Sequence, residues 1–231
     1  MLIKTEEEIK KIKEGGQIIG NILDNLAKMC CPGISTLEID LAAEKMITEA
    51  GGRPSFKGYK TRPADKPFPS AICVSINEEL VHGIAKKEVT LKNGDIFTID
   101  IGMEWPYENQ KSKACPERSR GIKNQKLTSG YYTDTALTVP IGKIPAKTRE
   151  LLRVTRESLE RGIEAIKPGN TVADIGKAIE DYVKSQGKYG IIRDLVGHGV
   201  GHAVHEEPRI PNFYERASDF IVLKPGMVIA I

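Results

Sequence analysis

Leu91-Lys92-Asn93-Gly94-Asp95-Ile96-Phe97-Thr98-Ile99 returns near the end of the chain as Leu223-Lys224-Pro225-Gly226-Met227-Val228-Ile229-Ala230-Ile231. In each copy a glycine turn leads into an apolar, β-branched run, the pattern of a turn entering a strand. An earlier pair repeats in the same order. Pro32-Gly33-Ile34-Ser35-Thr36-Leu37 and Pro168-Gly169-Asn170-Thr171-Val172 each close one helix and open another. The spacings are 136 residues (168 against 32) and 132 residues (223 against 91). Two ordered matches at nearly equal spacing read as an internal duplication, and so as a pseudo-twofold fold. The first copy continues into Asp100. A pseudo-twofold metal site would place an acidic residue just past Ile231 in the second.

Outward from these marks the chain alternates helices and strands. Thr5 and Glu8 form a capping-box pattern before an apolar stripe of Ile9, Ile12, Ile19, Ile22, Leu23 and Leu26. Ser35 and Glu38 open a second helix that runs to Gly51-Gly52. Residues 70–76, 96–101 and 131–139 read as strands, and 148–166 and 171–185 as helices. Residues 191–205 are glycine-rich and apolar, more strand and turn than helix. The expected class is α+β, duplicated helices flanking an antiparallel sheet, in one domain over 1–231.

The 231 residues suffice for a sizeable core. A net charge of +3 and 28% charged residues give no signal for nucleic acid or a membrane surface. No apolar run approaches the roughly 20 residues of a membrane span, and Met1 to Lys10 has no secretory-signal core. Cys30, Cys31, Cys73 and Cys115 match neither a zinc knuckle nor a disulfide framework, so a reduced, cytoplasmic protein is expected. Tyr107 to Ser129 breaks the pattern, with six basic residues against Glu108 and Glu117. It reads as a solvated surface insertion at a hairpin tip. The other reading is a ribosome or RNA tether, though the segment lacks the interleaved aromatics of single-strand recognition.

The candidate chemistry lies in histidines and strand aspartates. His198, His202 and His205 fall within one glycine-rich segment, and His82 stands apart. If 201–205 is extended, His202 and His205 point to opposite faces. Alternation alone does not say which joins His198. Asp100 and Asp134 sit inside apolar strands, where an ionised carboxylate is costly unless it is paired or binds a metal. Carboxylates with an imidazole suit manganese, iron, cobalt or zinc, and two such ions sharing a carboxylate suit hydrolysis.

These residues carry a resemblance. Asn77-Glu78-Glu79-Leu80-Val81-His82-Gly83-Ile84, Asp100-Ile101-Gly102, Gly130-Tyr131-Tyr132-Thr133-Asp134-Thr135-Ala136, and Gly197-His198-Gly199-Val200-Gly201 with His205-Glu206-Glu207-Pro208 resemble the motifs of type I methionine aminopeptidases. The likeness spans nearly the whole chain. It implies the pita-bread fold and metal-dependent removal of the N-terminal methionine from nascent proteins when the second residue is small. It implies two divalent ions held by Asp100, Asp134 and His198, with Asp134 bridging both ions. It selects His205 over His202: His205 would bond the reacting carbonyl, and His82 would contact substrate near the scissile amide. Tyr59, Phe68 and Cys73 resemble residues lining the methionine pocket. A cytoplasmic monomer with transient ribosome contact follows.

The sequence departs from that pattern in three places. The 33 residues between Asp100 and Asp134 are far more than the resemblance implies, and the surplus is the 107–129 insertion. A shorter insertion, roughly Thr61 to Pro67, interrupts the pocket loop, and Lys60 stands where the family often has histidine. Two metal-binding glutamates would lie past Ile231, so the fold is expected to be incomplete at its C-terminus and this chain to have little or no activity alone. The rivals are a proline-specific pita-bread peptidase, disfavoured by the compact N-terminus, and a non-catalytic truncated pita-bread binding protein, disfavoured by the intact Asp100, Asp134, His198 and His205.

Overall fold

Among the described residues, capping boxes open three of the four α-helices. A computed structural model describes residues 3–107 and 130–231. Helix α1 (Glu6–Met29) starts where the Thr5 hydroxyl accepts the Glu8 N–H at 3.3 Å and Glu8 accepts the Thr5 N–H at 2.7 Å. Helix α2 (Thr36–Glu49) repeats this with Ser35 and Glu38, and α4 (Val172–Ser185) with Thr171 and Asp174. Each box satisfies amide donors that a helix start leaves orphaned. Helix α3 (Ala146–Glu164) has no side-chain cap and starts after Pro145.

The strands β1 (Arg53–Pro54), β2 (Ile72–Ile76), β3 (Ile96–Trp105) and β4 (Tyr131–Pro140) form one antiparallel sheet. Period-two alternation sends Phe97, Ile99, Ile101 and Met103 of β3 to one face, all fully buried. There they meet Ile19, Leu23 and Leu26 of α1 and Ile39, Ala43 and Ile47 of α2. Each large side chain buried in this way contributes about 1.5–3 kcal/mol. The opposite face of β3 is left to Thr98, Asp100, Gly102 and Glu104.

A second sheet takes β5 (Gly197–Gly199) at its centre, between β6 (Glu206–Ile210) and β7 (Ile229–Ala230). Helix α4 packs Val172, Ile175, Ile179 and Val183 over Ile210 and Leu223. Gly162 lets α3 lie close on α4, since a Cβ there would stand 2.9 Å from Ile179 Cδ1. A short 3-10 helix, Arg216–Phe220, precedes the second copy of the repeated turn. The expected sheet is thus two sheets in the described residues, both antiparallel, and β6 is a strand that the sequence pattern had not marked.

The duplication is visible bond by bond. An isolated bridge joins Ser35 to Thr90 in the first half and Thr171 to Val222 in the second. Thr36 N donates to Val89 O at 2.9 Å, and Val172 N to Ile221 O at 2.9 Å. Leu91 N donates to Ile34 O, and Leu223 N to Asn170 O. Gly33 and Gly169 share positive φ (97° and 88°), as do Gly94 and Gly226 (101° and 89°), so both turns need glycine for the same reason.

The 107–129 insertion lies outside the described residues except for Tyr107. That residue is anchored rather than solvated: its N–H donates to Gly51 O at 2.9 Å, and the Arg53 guanidinium lies over its ring. The hairpin arms close at Trp105 and Tyr131, so the excursion starts after Tyr107 and returns at Gly130.

Candidate active site

Sheet register assembles the candidate site on the face away from the helices. Cys73 of β2 stands opposite Asp100 of β3, and Asp100 opposite Ala136 of β4. Asp134 stands opposite Gly102. Directly opposed residues share a face, and residues two apart are diagonal neighbours. Cys73, Asp100 and Asp134 therefore converge, and Asp134 is near enough for its charge to act on Asp100. Gly102 is required between them, because a Cβ there would fall 2.2 Å from Ser55 Oγ and 2.7 Å from the Phe56 ring.

Burial pushes Asp100 well above the ordinary carboxylate range, and the charge of Asp134 pushes it further. The basic group facing the pair is His198. Its Nε2 lies 3.5 Å from Asp134 Oδ2. Its Nδ1 donates to the Gly199 carbonyl at 2.9 Å, which fixes the ring and turns Nε2 towards the carboxylates. Burial opposes the charged imidazole, but the bonds to Asp134 and Gly199 outweigh it and raise the His198 pKa.

The same face holds a third carboxylate, Glu104, which the sequence pattern does not single out. It is answered by Arg53, whose Nε lies 3.0 Å from Glu104 Oε2. Among the described residues the basic group facing Asp100 and Asp134 is an imidazole, so their charge calls for a cation. Among the described residues no group of three or more His, Cys, Asp or Glu side chains is placed so that it could hold a metal ion. Asp100, Asp134 and His198 lie close to one another and offer two carboxylates and one imidazole, a donor chemistry that fits a borderline-hard divalent ion.

His202 and His205 lie apart, though not through strand alternation. Residues 201–205 form bends, not a strand. His202 turns away, with Nε2 2.7 Å from Glu8 Oε1. His205 turns in, its ring edge-to-face with His198 at 4.5 Å between centroids. Burial and the His198 charge lower its pKa, so the neutral imidazole is favoured. Its Nδ1 lies 3.0 Å from the Tyr59 hydroxyl. His82 is exposed, at φ 59°, and near enough to His205 to act on its charge.

Beside the carboxylates, Phe56, Cys73 and Val204 form a small buried cluster with Phe68 and Tyr132 packed on it. Phe68 and Cys73, which the resemblance names as pocket residues, both belong to this cluster. Phe56 and Val204 carry no signal in the sequence pattern. Burial and the charges of Asp100, Asp134 and Asp40 push the Cys73 thiol up to about 12, so it is an apolar wall and not a nucleophile. The Tyr59 loop is pinched at its neck by Gly58 N donating to Phe68 O and Phe68 N to Tyr59 O. The short insertion 61–67 leaves and rejoins the chain at this neck, between Tyr59 and Phe68.

Paired strand carboxylates, an oriented imidazole and a duplicated antiparallel fold define the class as a metal-dependent hydrolase. The chain belongs to metallopeptidase family M24, whose model matches residues 10–109 and 126–231 and leaves out the centre of the basic insertion. Methionine aminopeptidase 1 of Bacillus subtilis (strain 168) is 40% identical over 231 residues, which are all of this chain and 80% of that one. The crystal structure of methionine aminopeptidase from Thermotoga maritima superposes with a TM-score of 0.82 at 35% identity, covering 100% of this chain and 80% of that one. An Xaa-Pro dipeptidase from Bacillus anthracis gives a TM-score of 0.73 at 28% identity, covering 99% of this chain but 53% of its own. Among the described residues no helix is long and apolar enough to cross a membrane.

Proposed function

We propose that this chain is a methionyl aminopeptidase that acts on the N-terminal Met–Xaa bond of nascent proteins when Xaa is small. The observation that carries the reading is the meeting of Asp100, Asp134 and His198 beside a small apolar cluster, in a chain 40% identical to a methionine aminopeptidase. Asp100, Asp134 and His198 would hold divalent metal, two ions of manganese, iron, cobalt or zinc. Such ions supply Lewis acidity towards a peptide carbonyl and lower the pKa of water.

The protein's own groups do the rest. Phe56, Phe68, Cys73 and Val204 receive the methionine side chain, whose thioether is favoured against aromatic edges. With the Tyr59 hydroxyl donating to Nδ1, His205 carries its proton on Nε2 and offers it to the carbonyl oxygen as negative charge develops there. His82, on the rim, contacts the substrate near the scissile amide. We take residues 1–231 as one peptidase domain with 107–129 inserted. The free cysteines Cys30, Cys31 and Cys73 support a reducing, cytoplasmic setting. A monomer that meets the ribosome transiently completes the proposal.

The test offers purified protein, supplied with each divalent metal in turn, Met-Ala and Xaa-Pro peptides. Met-Ala peptides should bind more tightly than Xaa-Pro peptides, and any bond cleaved should be the one that releases methionine. Preferential binding and turnover of Xaa-Pro peptides would contradict the reading.

A further inference from the structure

Two ionised side chains are buried where the proposed chemistry makes no use of them. Lys4 Nζ lies 2.6 Å from Glu206 Oε2, with the side chains 1% and 3% exposed. Charges so deeply buried cost several kcal/mol unless their partners answer them, and such pairs are often better at fixing geometry than at adding stability. Here the pair fixes a turn. The other oxygen of Glu206 accepts the backbone N–H of His202 and of Ala203, wrapping residues 202–206 around one carboxylate. The lysine is itself held, its backbone N–H donating to Gly226 O at 2.8 Å. Gly201, at φ 137°, lies on the lysine stem, where a Cβ would stand 2.8 Å from Lys4 Cε. On the other side of the turn Glu8 holds His202, and Gly201 O accepts the Tyr132 N–H at 2.7 Å. His205 is the residue next to Glu206.

We propose that Lys4 and Glu206 are positioning residues, whose buried pair sets the turn that holds His205 against His198 and Tyr59 and keeps His202 off the site. This rests on the reading of His205 as a residue of the peptidase site. The N-terminal strap before α1 is then part of the catalytic apparatus at one remove.

The test is nuclear magnetic resonance on the metal-free full chain, following ring-to-ring Overhauser effects of His205 with His198 and with Tyr59. Lys4→Met should abolish both effects while the helical circular dichroism stays unchanged, and Lys4→Arg should restore them. A folded Lys4→Met protein that retains both effects overturns the proposal, whatever its melting temperature. Should that variant fail to fold, Glu206→Gln is read in the same way. It keeps an oxygen for the two N–H groups and removes the charge. Disappearance of the two Overhauser effects in Glu206→Gln supports the proposal, and their persistence overturns it. Met-Ala binding that is indifferent to His205→Ala would instead sink the reading of His205 and leave the resonance result standing.

Discussion

His198 presents Nε2 to Asp134 Oδ2 at 3.5 Å while its Nδ1 is tied to the Gly199 carbonyl at 2.9 Å. A hydrogen-bonded Nδ1 is how a metal-binding imidazole is usually oriented, with the partner fixing both the tautomer and the ring plane. The arrangement makes sense of two carboxylates placed side by side on one sheet face. Like charges this close oppose each other, and a protein keeps such strain where a ligand relieves it.

Asp100→Asn should therefore stabilise the metal-free protein. The substitution keeps the shape and removes one of two opposed charges, and a gain on the order of 1 kcal/mol is expected. Thermal melting in chelator checks it. A lowered melting temperature would mean that the carboxylate is a structural anchor.

Stability should depend on pH through Glu206. Burial alone would raise its pKa, but Lys4 and the N–H groups of Ala203 and His202 outweigh it and hold the carboxyl below 4.5. A depressed carboxylate contributes stability that is present above pH 4.5 and lost as pH falls through the folded-state value. Removing one partner of a buried pair costs about 3–5 kcal/mol. The melting gap between wild type and Glu206→Gln should be full at neutral pH and shrink below pH 4.5. A gap that does not change with pH would show that Glu206 is not ionised in the native state.

Cys73 should be slow to react. Its thiol, buried and pushed up to about 12, holds almost no thiolate at neutral pH, whereas Cys31 is exposed. Timed alkylation read by peptide mass should label Cys31 first and Cys73 far more slowly. Equal rates would mean that the pocket wall is open.

Gly83→Ala should disrupt the His82 loop. A Cβ there would fall 1.7 Å from Val74 O, and Gly83 O also accepts the Val74 N–H at 3.0 Å. Backbone cannot yield as a flexible side chain can, so a loss of several kcal/mol is expected. A variant melting within a degree of wild type would contradict this packing.

What the sequence made legible was what is local or repeated. Capping boxes at Thr5 and Ser35, the paired glycine turns, and the alternation that sets Asp100 opposite the core all follow from neighbours in the chain. What it hid was contact across distance. Nothing near Lys4 foretells Glu206, 202 residues away. Strand β6 went unmarked because, of its inward residues Glu206, Pro208 and Ile210, a single one is apolar and β-branched, and Glu206 is tolerated there through Lys4 and the N–H groups of His202 and Ala203. Phe56 and Val204 went unmarked because each comes from an irregular loop, where no period shows which side chains turn inward. The choice of His205 over His202 needed the resemblance, and the structure achieves that separation through bends instead of strand alternation.

The most direct measurement is calorimetric titration of a divalent metal into chelator-stripped protein, for wild type, Asp134→Asn and His198→Ala. The account predicts that wild type binds the ion and that each substitution weakens binding by on the order of 100-fold, as loss of an inner donor should when even outer partners are worth about 10–100-fold. Wild type and both variants taking up metal with the same affinity, or none of them taking up any, would contradict it.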